Sequence, residues 1–278
     1  MNKLSLNRQA QIIKVLCEGN SIRSTARITG TAINTVVKLL REVGAACLSY
    51  QDKAMRNLTC QKLQCDEIWS FVYAKDKNVP KEHNGEFGYG DVWTFTAIDA
   101  DTKLVPAWFV GMRNADYAYA FTNDLKGRLA NRVQLTTDGH GMYLEAIEHA
   151  FGADVDYGML VKLYGQEPEG GKRYSPAKCI SAHKHTVQGK PDYEAISTSY
   201  VERQNLTMRM SMRRFTRLTN AFSKKLENHE CALPLYFMHY NFARPHKTLT
   251  NPYPKTPAMV AGLTNHIWTI EEIVKLAK

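Results

Sequence analysis

The chain has 278 residues, of which 44% are hydrophobic and 23% charged, with 17 Gly and 10 Pro. This composition supports a packed core and excludes disordered, collagen-like and repeat proteins. The 36 Lys and Arg residues outnumber the 27 Asp and Glu residues, and the resulting net charge of +9 favours a polyanionic partner, nucleic acid before a membrane.

The sequence gives no sign of a membrane or secreted protein. No apolar stretch approaches the roughly 18 residues of a membrane span, and the first residues lack the charged-then-apolar order of a secretory signal. We therefore expect a cytoplasmic protein with no membrane partner. The six Cys residues are scattered, which suits reduced thiols. A zinc site is the alternative for one group, whose spacings match no known finger: Cys60, Cys65, Cys179, His183 and His185.

Residues 1–50 predict a small helical domain. Helices are expected over residues 7–18, 21–29 and 34–43, with turns at Gly19-Asn20 and Thr29-Gly30-Thr31. This order is typical of a helix-turn-helix, whose last helix lies in the major groove of DNA. The motif predicts six DNA contacts: Arg23, Arg27, Thr31, Asn34, Thr35 and Lys38. A plain three-helix packing unit is the alternative.

A mixed α/β domain is predicted over residues 61–226, after a linker at 51–60 and before a helical, Pro-rich extension at 227–278. Aromatic and branched residues predict five strands, at 64–73, 92–98, 103–110, 133–136 and 155–163. Helices are expected over 115–129, 142–151 and 199–220. This alternation indicates a mixed five-stranded sheet with flanking helices. Residues 165–197 show no period, which is typical of a functional or mobile loop.

Three acids stand where this layout would bring them together. Asp66 lies within the first strand, Asp138 follows the fourth, and Glu202 begins the helix after the long loop. Carboxylate oxygens favour Mg²⁺ or Mn²⁺, and two such ions roughly 4 Å apart can promote displacement at a phosphodiester. Glu67 is a weaker candidate than Asp66, because successive strand residues face opposite sides of a sheet.

The helix predicted from residue 199 is basic. Between Arg203 and Lys225 the sequence has seven basic residues and no acid. At 3.6 residues per turn, Glu202 shares an arc of about 80° with several cations, an arrangement that suggests a DNA phosphate track. The DNA contacts predicted here are Arg203, Arg209, Arg213, Arg217 and Lys224. A basic helix without catalysis is the alternative.

The separated motifs D-E-I-W-S-F-V (66–72), T-T-D-G-H-G-M-Y (136–143), H-T-V (185–187) and V-E-R-Q-N-L-T-M-R (201–209) resemble those of IS1 family DDE transposases. The resemblance implies a ribonuclease-H-like core with Asp66, Asp138 and Glu202 as the metal-binding triad, and Arg209 as a contact to the transposon end. Tyr240, Asn241, Arg244, Pro245 and His246 are similar to the Y-N-x-x-R-P-H tail of transposases and integrases. The cysteine zinc ribbon that IS1 relatives often carry before the helix-turn-helix is absent.

The resemblance implies metal-dependent strand cleavage at the ends of an insertion sequence, followed by transfer of the 3′ hydroxyl to target DNA. Double-stranded DNA is then the partner, and a homodimer or larger assembly is expected to bring two ends together. Two alternatives are a nuclease of the same fold that does not join strands, and a DNA-binding regulator with an inactive core. Loop cations could clamp DNA: Lys172, Arg173, Lys178, Lys184 and Lys190. For His140 and His185 a structural hydrogen bond is favoured over a catalytic part.

Overall fold

The structure, a computed structural model, describes residues 4–165, 179–216 and 220–278. Within these ranges the α-helices are α1 Leu6–Cys17, α2 Ile22–Thr29, α3 Ile33–Ala54, α4 Ala115–Lys126, α5 Met142–Phe151, α6 Ser199–Ser211, α7 Leu226–Met238, α8 Pro257–Val260 and α9 Ile270–Lys275. The strands are β1 Lys62–Val72, β2 Gly90–Asp99, β3 Ala107–Gly111, β4 Val133–Asp138, β5 Val155–Tyr164 and β6 Cys179–Gln188. None of the described helices is both long and apolar enough to span a bilayer.

All the described strands belong to one mixed sheet, in the order β3-β2-β1-β4-β5-β6. The first three strands form an antiparallel meander, whereas β4 runs parallel to β1 and β5 parallel to β4. Helices α4 and α5 connect β3 to β4 and β4 to β5. The predicted fold class, a mixed α/β sheet with flanking helices after a helical N-terminal region, is confirmed.

The sheet has six strands rather than the predicted five. The sixth, β6, lies within residues 165–197, the segment predicted to be a loop, and pairs antiparallel with β5. It forms the edge of the sheet, and its residues are exposed or only partly buried along its whole length. An edge strand with two solvated faces has no apolar alternation, so its sequence carries no strand period.

One part of the core lies between the sheet and helices α4 and α5, and the same core continues among α1, α3 and α7. Phe95 of β2, Phe121 of α4 and Tyr143 of α5 are all fully buried. The Phe95 and Phe121 ring centroids are 5.7 Å apart, and Tyr143 meets Phe95 edge-on. Burial of each such side chain stabilises the fold by about 1.5–3 kcal/mol, which holds α5 and the end of β4 in a fixed position.

Helix α3 is much longer than predicted, because it continues from the expected end at Val43 to Ala54. Gly44 does not stop the helix. It permits close packing against α7, since a Cβ atom there would lie 2.1 Å from the carbonyl oxygen of Cys231. Gln51 Nε2 also donates a hydrogen bond to the carbonyl of Pro234 at 2.9 Å. Residues 51–54, predicted as linker, are therefore helical and packed against the C-terminal region.

Helix α6 is shorter than predicted, because it ends at Ser211 rather than at residue 220. Met212 has an extended backbone, and a 3-10 turn covers Arg213–Phe215. The end of α6 meets the turn between α1 and α2, where a Cβ atom on Gly19 would lie 2.9 Å from the carbonyl oxygen of Ser211. A tertiary contact thus accompanies the end of the helix, and helical periodicity cannot reveal such a contact.

Candidate active site

Asp66 and Asp138 lie on neighbouring parallel strands at the same end of the sheet. The last paired residues of β1 and β4 are Gln64 and Thr136, and each acid stands two residues further along its strand. Because side chains alternate between the two faces of a sheet, a step of two residues returns to the same face. Both carboxylates therefore project from one face, beyond the point where the pairing of β1 with β4 ends.

Helix α6 crosses this end of the sheet and carries Glu202. The side-chain oxygen of Gln64 accepts hydrogen bonds from the backbone N–H groups of Tyr200 and the next residue, at 2.8 and 3.2 Å, which fixes the first turn of α6 over β1. Further along the helix, Asn205 Nδ2 donates to Asp66 Oδ2 at 2.9 Å. Helix residues three apart lie on the same side, so Glu202 faces the end of the sheet as well.

The carboxylate of Glu202 is held by Lys162 and Thr198. Lys162 Nζ forms an ion pair with Glu202 Oε1, and Thr198 Oγ1 donates a hydrogen bond to the same oxygen. Lys162 lies on β5, the strand next to that of Asp138. Glu202 therefore reaches β5 while Asn205 reaches β1, and the strand that ends at Asp138 lies between them.

The pKa of the Asp66 carboxyl is raised well above its usual range. Burial, followed by the negative charges of Glu67 and Asp138, raises the pKa of Asp66 to about 7. The hydrogen bond from the Glu67 backbone N–H to Asp66 Oδ1, 2.8 Å long, lowers the pKa of Asp66, and the charge of Glu202 adds a smaller rise. This end of the sheet therefore concentrates negative charge that a bound cation would relieve.

The donor set fits a hard divalent cation, because it consists of oxygen atoms. Asn205 Oδ1, beside Asp66, is buried and has no hydrogen-bond partner among the described residues. Within the described ranges, no three His, Cys, Asp or Glu side chains are arranged to hold a metal ion. Lys162 and Thr198 both engage the same oxygen of Glu202, Oε1.

Glu67 points to the opposite face of β1, as the alternation along a strand predicts. Its side chain is fully buried and accepts a hydrogen bond from Arg113 Nε at 3.0 Å. Burial raises the pKa of Glu67, and burial followed by the Glu67 charge raises the pKa of Tyr143. Arg113 belongs to no pattern in the sequence, and Tyr143 ends the motif T-T-D-G-H-G-M-Y without a predicted role of its own.

His140 shapes the turn after Asp138. Its backbone N–H donates to Asp138 Oδ1 at 3.0 Å, and its ring Nδ1 accepts from the backbone N–H of Met142 at 3.4 Å. Burial, followed by the charge of Arg113, lowers the pKa of His140. His185 is exposed on the edge strand β6. The His140 ring thus makes a structural hydrogen bond, whereas the role of His185 stays a prediction.

Most of the predicted DNA contacts in the helix-turn-helix region are accessible. The exposed ones are Arg23, Arg27, Asn34 and Lys38. Thr31 is partly buried, and its hydroxyl lies 3.5 Å from Arg8 Nη2. Thr35 is also partly buried, and Lys38 forms an ion pair with Glu42 one turn further along α3, at 3.7 Å. The Ser5 and Ser21 caps and the left-handed Gly30 produce this helical order.

The predicted single basic face on the helix of Glu202 is wrong beyond residue 211. Arg203 and Arg209 lie on α6, but Arg213 belongs to the 3-10 turn and Lys224 to an irregular segment. Arg217 lies outside the described residues. The 80° arc assumed that the helix continued to residue 220, whereas the chain turns at Met212, so these cations do not extend along one helix face.

The Y-N-x-x-R-P-H segment connects the C-terminal region to the sheet. Asn241 exchanges two hydrogen bonds with the backbone of Val105, both 3.0 Å long. Tyr240 OH donates to the carbonyl of Lys103 at 2.9 Å. These bonds engage residues 103–105, which were predicted as part of a strand, and β3 begins only at Ala107. Tyr240 and Asn241 therefore have a structural role here.

The alternative zinc grouping does not assemble. Cys60 and Cys65 are buried, whereas Cys179, His183 and His185 are exposed on β6. Of the predicted loop cations, Lys172, Arg173 and Lys178 lie outside the described residues. Lys184 donates hydrogen bonds to the carbonyls of Tyr193 and Glu194, both at 3.0 Å, and Lys190 is exposed.

No family model and no curated protein matches the chain. Among solved structures it is similar to a piggyBac transposase synaptic complex with hairpin DNA, with 10% identity over 98% of this chain and 69% of that chain and a TM-score of 0.39. It is also similar to a pre-cleavage Mos1 transpososome, with 11% identity, and to the Mos1 mariner paired end complex with Mn, with 10% identity. Each Mos1 match covers 56% of this chain and 60% of that chain, at a TM-score of 0.23. At these identities and TM-scores the likeness carries no argument about function.

Proposed function

We propose that this protein is a DNA transposase of the DDE type, in which Asp66, Asp138 and Glu202 hold divalent metal ions at the reacting phosphodiester. One observation carries the proposal. The register of β1 and β4 brings two carboxylates to one sheet end, and α6 presents Glu202 and Asn205 to the same end. The excess of basic residues over acidic ones supports a nucleic-acid substrate.

Bound Mg²⁺ or Mn²⁺, two ions in the proposed site, would stabilise charge on the attacking and leaving oxygens of the phosphodiester. The carboxyl group of Asp66 must be ionised to bind a cation, which near pH 7 requires release of its proton. Asn205 orients Asp66 through its Nδ2 hydrogen bond. Glu202 would be the third ligand, and the ammonium group of Lys162 would compete with the cation for its carboxylate.

We further propose that the protein belongs to the IS1 family, cuts the ends of an insertion sequence and joins the freed 3′ hydroxyl to target DNA. The quoted motifs around the three acids support this assignment. The exposed cations of α2 and α3 would bind an element end, and two ends would be held by a dimer or larger assembly. Terminal inverted repeats with short flanking duplications around the gene would support the assignment independently.

The test uses purified protein with labelled duplexes taken from the DNA that flanks the gene. Wild-type protein with Mg²⁺ should nick the duplex and join it to a target plasmid, and Asp138→Ala should do neither while still binding the duplex. Unchanged cutting by Asp138→Ala would refute the assignment of the site. Cutting without joining by the wild type would indicate a nuclease, and binding without cutting would indicate a regulator.

A further inference from the structure

A large cavity lies between the helix-turn-helix region and the segment that follows α6. Its volume is about 850 Å³. Its walls come from the end of α1, from α2 and α3, from residues 211–214 and from residues 220–236. We call this space the junction cavity. The Gly19–Ser211 contact lies at its edge and joins the two parts of the chain.

Four cations line the junction cavity: Arg23, Arg213, Arg214 and Lys224. No Asp or Glu is among the described residues that line it. Arg23, Arg213 and Lys224 are exposed. Lys224 Nζ lies 3.8 Å from the centroid of the Phe222 ring. The cavity therefore brings together three predicted DNA contacts from segments about 190 residues apart in the chain, beside apolar side chains such as Ile33, Val37 and Leu40.

Arg214 supplies the second observation. Its Nη1 donates to Ser223 Oγ at 2.9 Å and to the carbonyl of Asn228 at 2.5 Å, and both acceptors are neutral. No ion pair joins Arg214 to a carboxylate in the part of the chain that the structure describes. Burial lowers the pKa of Arg214 to about 10. Arg214 is partly buried and its described acceptors carry no charge, so an anion bound at the cavity would supply the charge partner that a desolvated guanidinium favours.

We propose that the junction cavity binds phosphates of the duplex DNA backbone, between the recognition helices and the active site. This inference rests on the proposed function and adds a binding site to it. Ser211 stands nine residues after Glu202, so the cavity begins about 14 Å from Glu202 along α6. This distance corresponds to the rise of about four base pairs, and a continuous duplex can therefore reach both places.

The phosphate backbone of DNA suits the cavity better than a small free anion for two reasons. Three of the four cations are exposed at the surface, where a long polyanion can reach all of them at once. The cavity also adjoins α2, whose Arg23 and Arg27 face solvent beside the predicted reading helix. Phosphate contacts of this kind position a protein on DNA without reading its sequence.

The test compares two double variants of the full-length protein that remove the same charge. Arg213→Gln/Lys224→Gln removes two exposed cations of the cavity, and Lys53→Gln/Lys275→Gln removes two exposed cations elsewhere. Binding of a fluorescein-labelled random-sequence duplex of about 30 base pairs is measured by anisotropy between about 50 and 200 mM salt. Thermal melting of each variant checks that it is folded.

The logarithm of the DNA-binding constant falls linearly with the logarithm of the salt concentration, and each lost phosphate contact should make this slope shallower by about 0.9. The slope of the cavity variant should therefore be shallower than that of the wild type by about 1.8. The Lys53/Lys275 control should keep the wild-type slope. Equal slopes for the cavity variant and the control would overturn the proposal.

Titration with inorganic phosphate and ADP forms the second arm. The wild type could bind inorganic phosphate or ADP tightly while the cavity variant does not. If the cavity variant then kept the wild-type salt slope for DNA, the proposal would also be overturned. If the slopes differ as expected but the wild type never cuts DNA, the cavity proposal stands and the proposed function fails.

Discussion

The acidic end of the sheet and the junction cavity carry opposite charge and are built in different ways. At the sheet end, Asp66 and Asp138 project from strands whose register is fixed by a hydrogen-bond ladder. Around the cavity, Arg23 comes from α2, Arg213 from the 3-10 turn after α6, and Lys224 from irregular chain beyond it. Regular pairing positions the acids, whereas docking of two parts of the chain positions the cations.

This difference shows which side chains need precise placement. Metal ligands must meet at one point, and a paired sheet with a helix across it holds carboxylates within narrow limits. Backbone phosphates repeat along DNA, so cations that bind them tolerate looser placement. Substitutions at the sheet end should therefore act on metal binding and cleavage, whereas substitutions at the cavity should act on the salt dependence of DNA binding.

The largest effect is expected for Glu202→Gln, which removes a charge from the acidic end but preserves the size of the side chain. Cleavage should fall by more than about 100-fold, because loss of even an outer partner of a metal ligand costs 10–100-fold. Gel assays with Mg²⁺ would measure the rate. Glu194→Gln, also an exposed acid, is the matched control and should cut normally. Full cleavage activity of Glu202→Gln would show that this residue is not a metal ligand of the site.

Asn205→Ala should weaken Mn²⁺ binding by about 10–100-fold, because Asp66 would lose the hydrogen bond that orients it. Electron paramagnetic resonance of free Mn²⁺ gives the affinity without relying on activity. Thr207→Ala removes a polar side chain from the same helix and should leave the affinity unchanged. Equal affinities in both variants would show that the Asn205 contact is only structural.

Lys162→Met should strengthen Mn²⁺ binding by up to about fivefold, because the cation that competes for Glu202 would be absent. An ion pair with one half-exposed partner is worth at most about 1 kcal/mol, which limits the gain. Calorimetric titration would measure it, with Lys190→Met as the control. A weaker affinity in Lys162→Met would instead assign Lys162 a supporting role in the site.

The smallest effect concerns stability against pH. The Asp66 carboxyl has a raised pKa in the folded state, so the wild type loses stability as pH rises from about 4 to about 7 and stays lower above that range. At pH 8 and without metal, Asp66→Asn avoids the cost of ionising a buried carboxyl. If this raises the free energy of unfolding by about 1 kcal/mol, the variant should melt about 2–4 °C higher than the wild type. At pH 4 the two proteins should melt at the same temperature.

Asp156→Asn is the control, because it should change the melting temperature in the opposite direction. Hydrogen bonds from Arg132 and from the Lys190 backbone lower the pKa of Asp156 to about 2, so its ionised form stabilises the fold above that pH. This variant should melt below the wild type at pH 8. Thermal scans in EDTA at both pH values would compare the three proteins. A lower melting temperature for Asp66→Asn at pH 8 would contradict the assumed cost of ionising Asp66.

Local patterns in the sequence were sufficient to predict most of the sheet. The helix at Met142–Phe151 has the predicted bounds, and the alternation of β1 correctly separates Asp66 from Glu67. Gln64 and Lys162, which hold α6 and Glu202, could not be predicted, because a lone polar residue in a strand has no pattern of its own. Asn205 stands three residues after Glu202, within the motif V-E-R-Q-N-L-T-M-R, and this spacing could have identified it.

The sequence by itself determined the mixed α/β class, the helical start and the strands that carry two of the three acids, because apolar periodicity and capping residues act over a few neighbours. Tertiary structure decided the rest: the extension of α3 past Gly44, the end of α6 at Ser211, the unpatterned edge strand and the gathering of distant cations around the cavity. These features depend on contacts between segments far apart in the chain, and such contacts leave no period in the residues that make them.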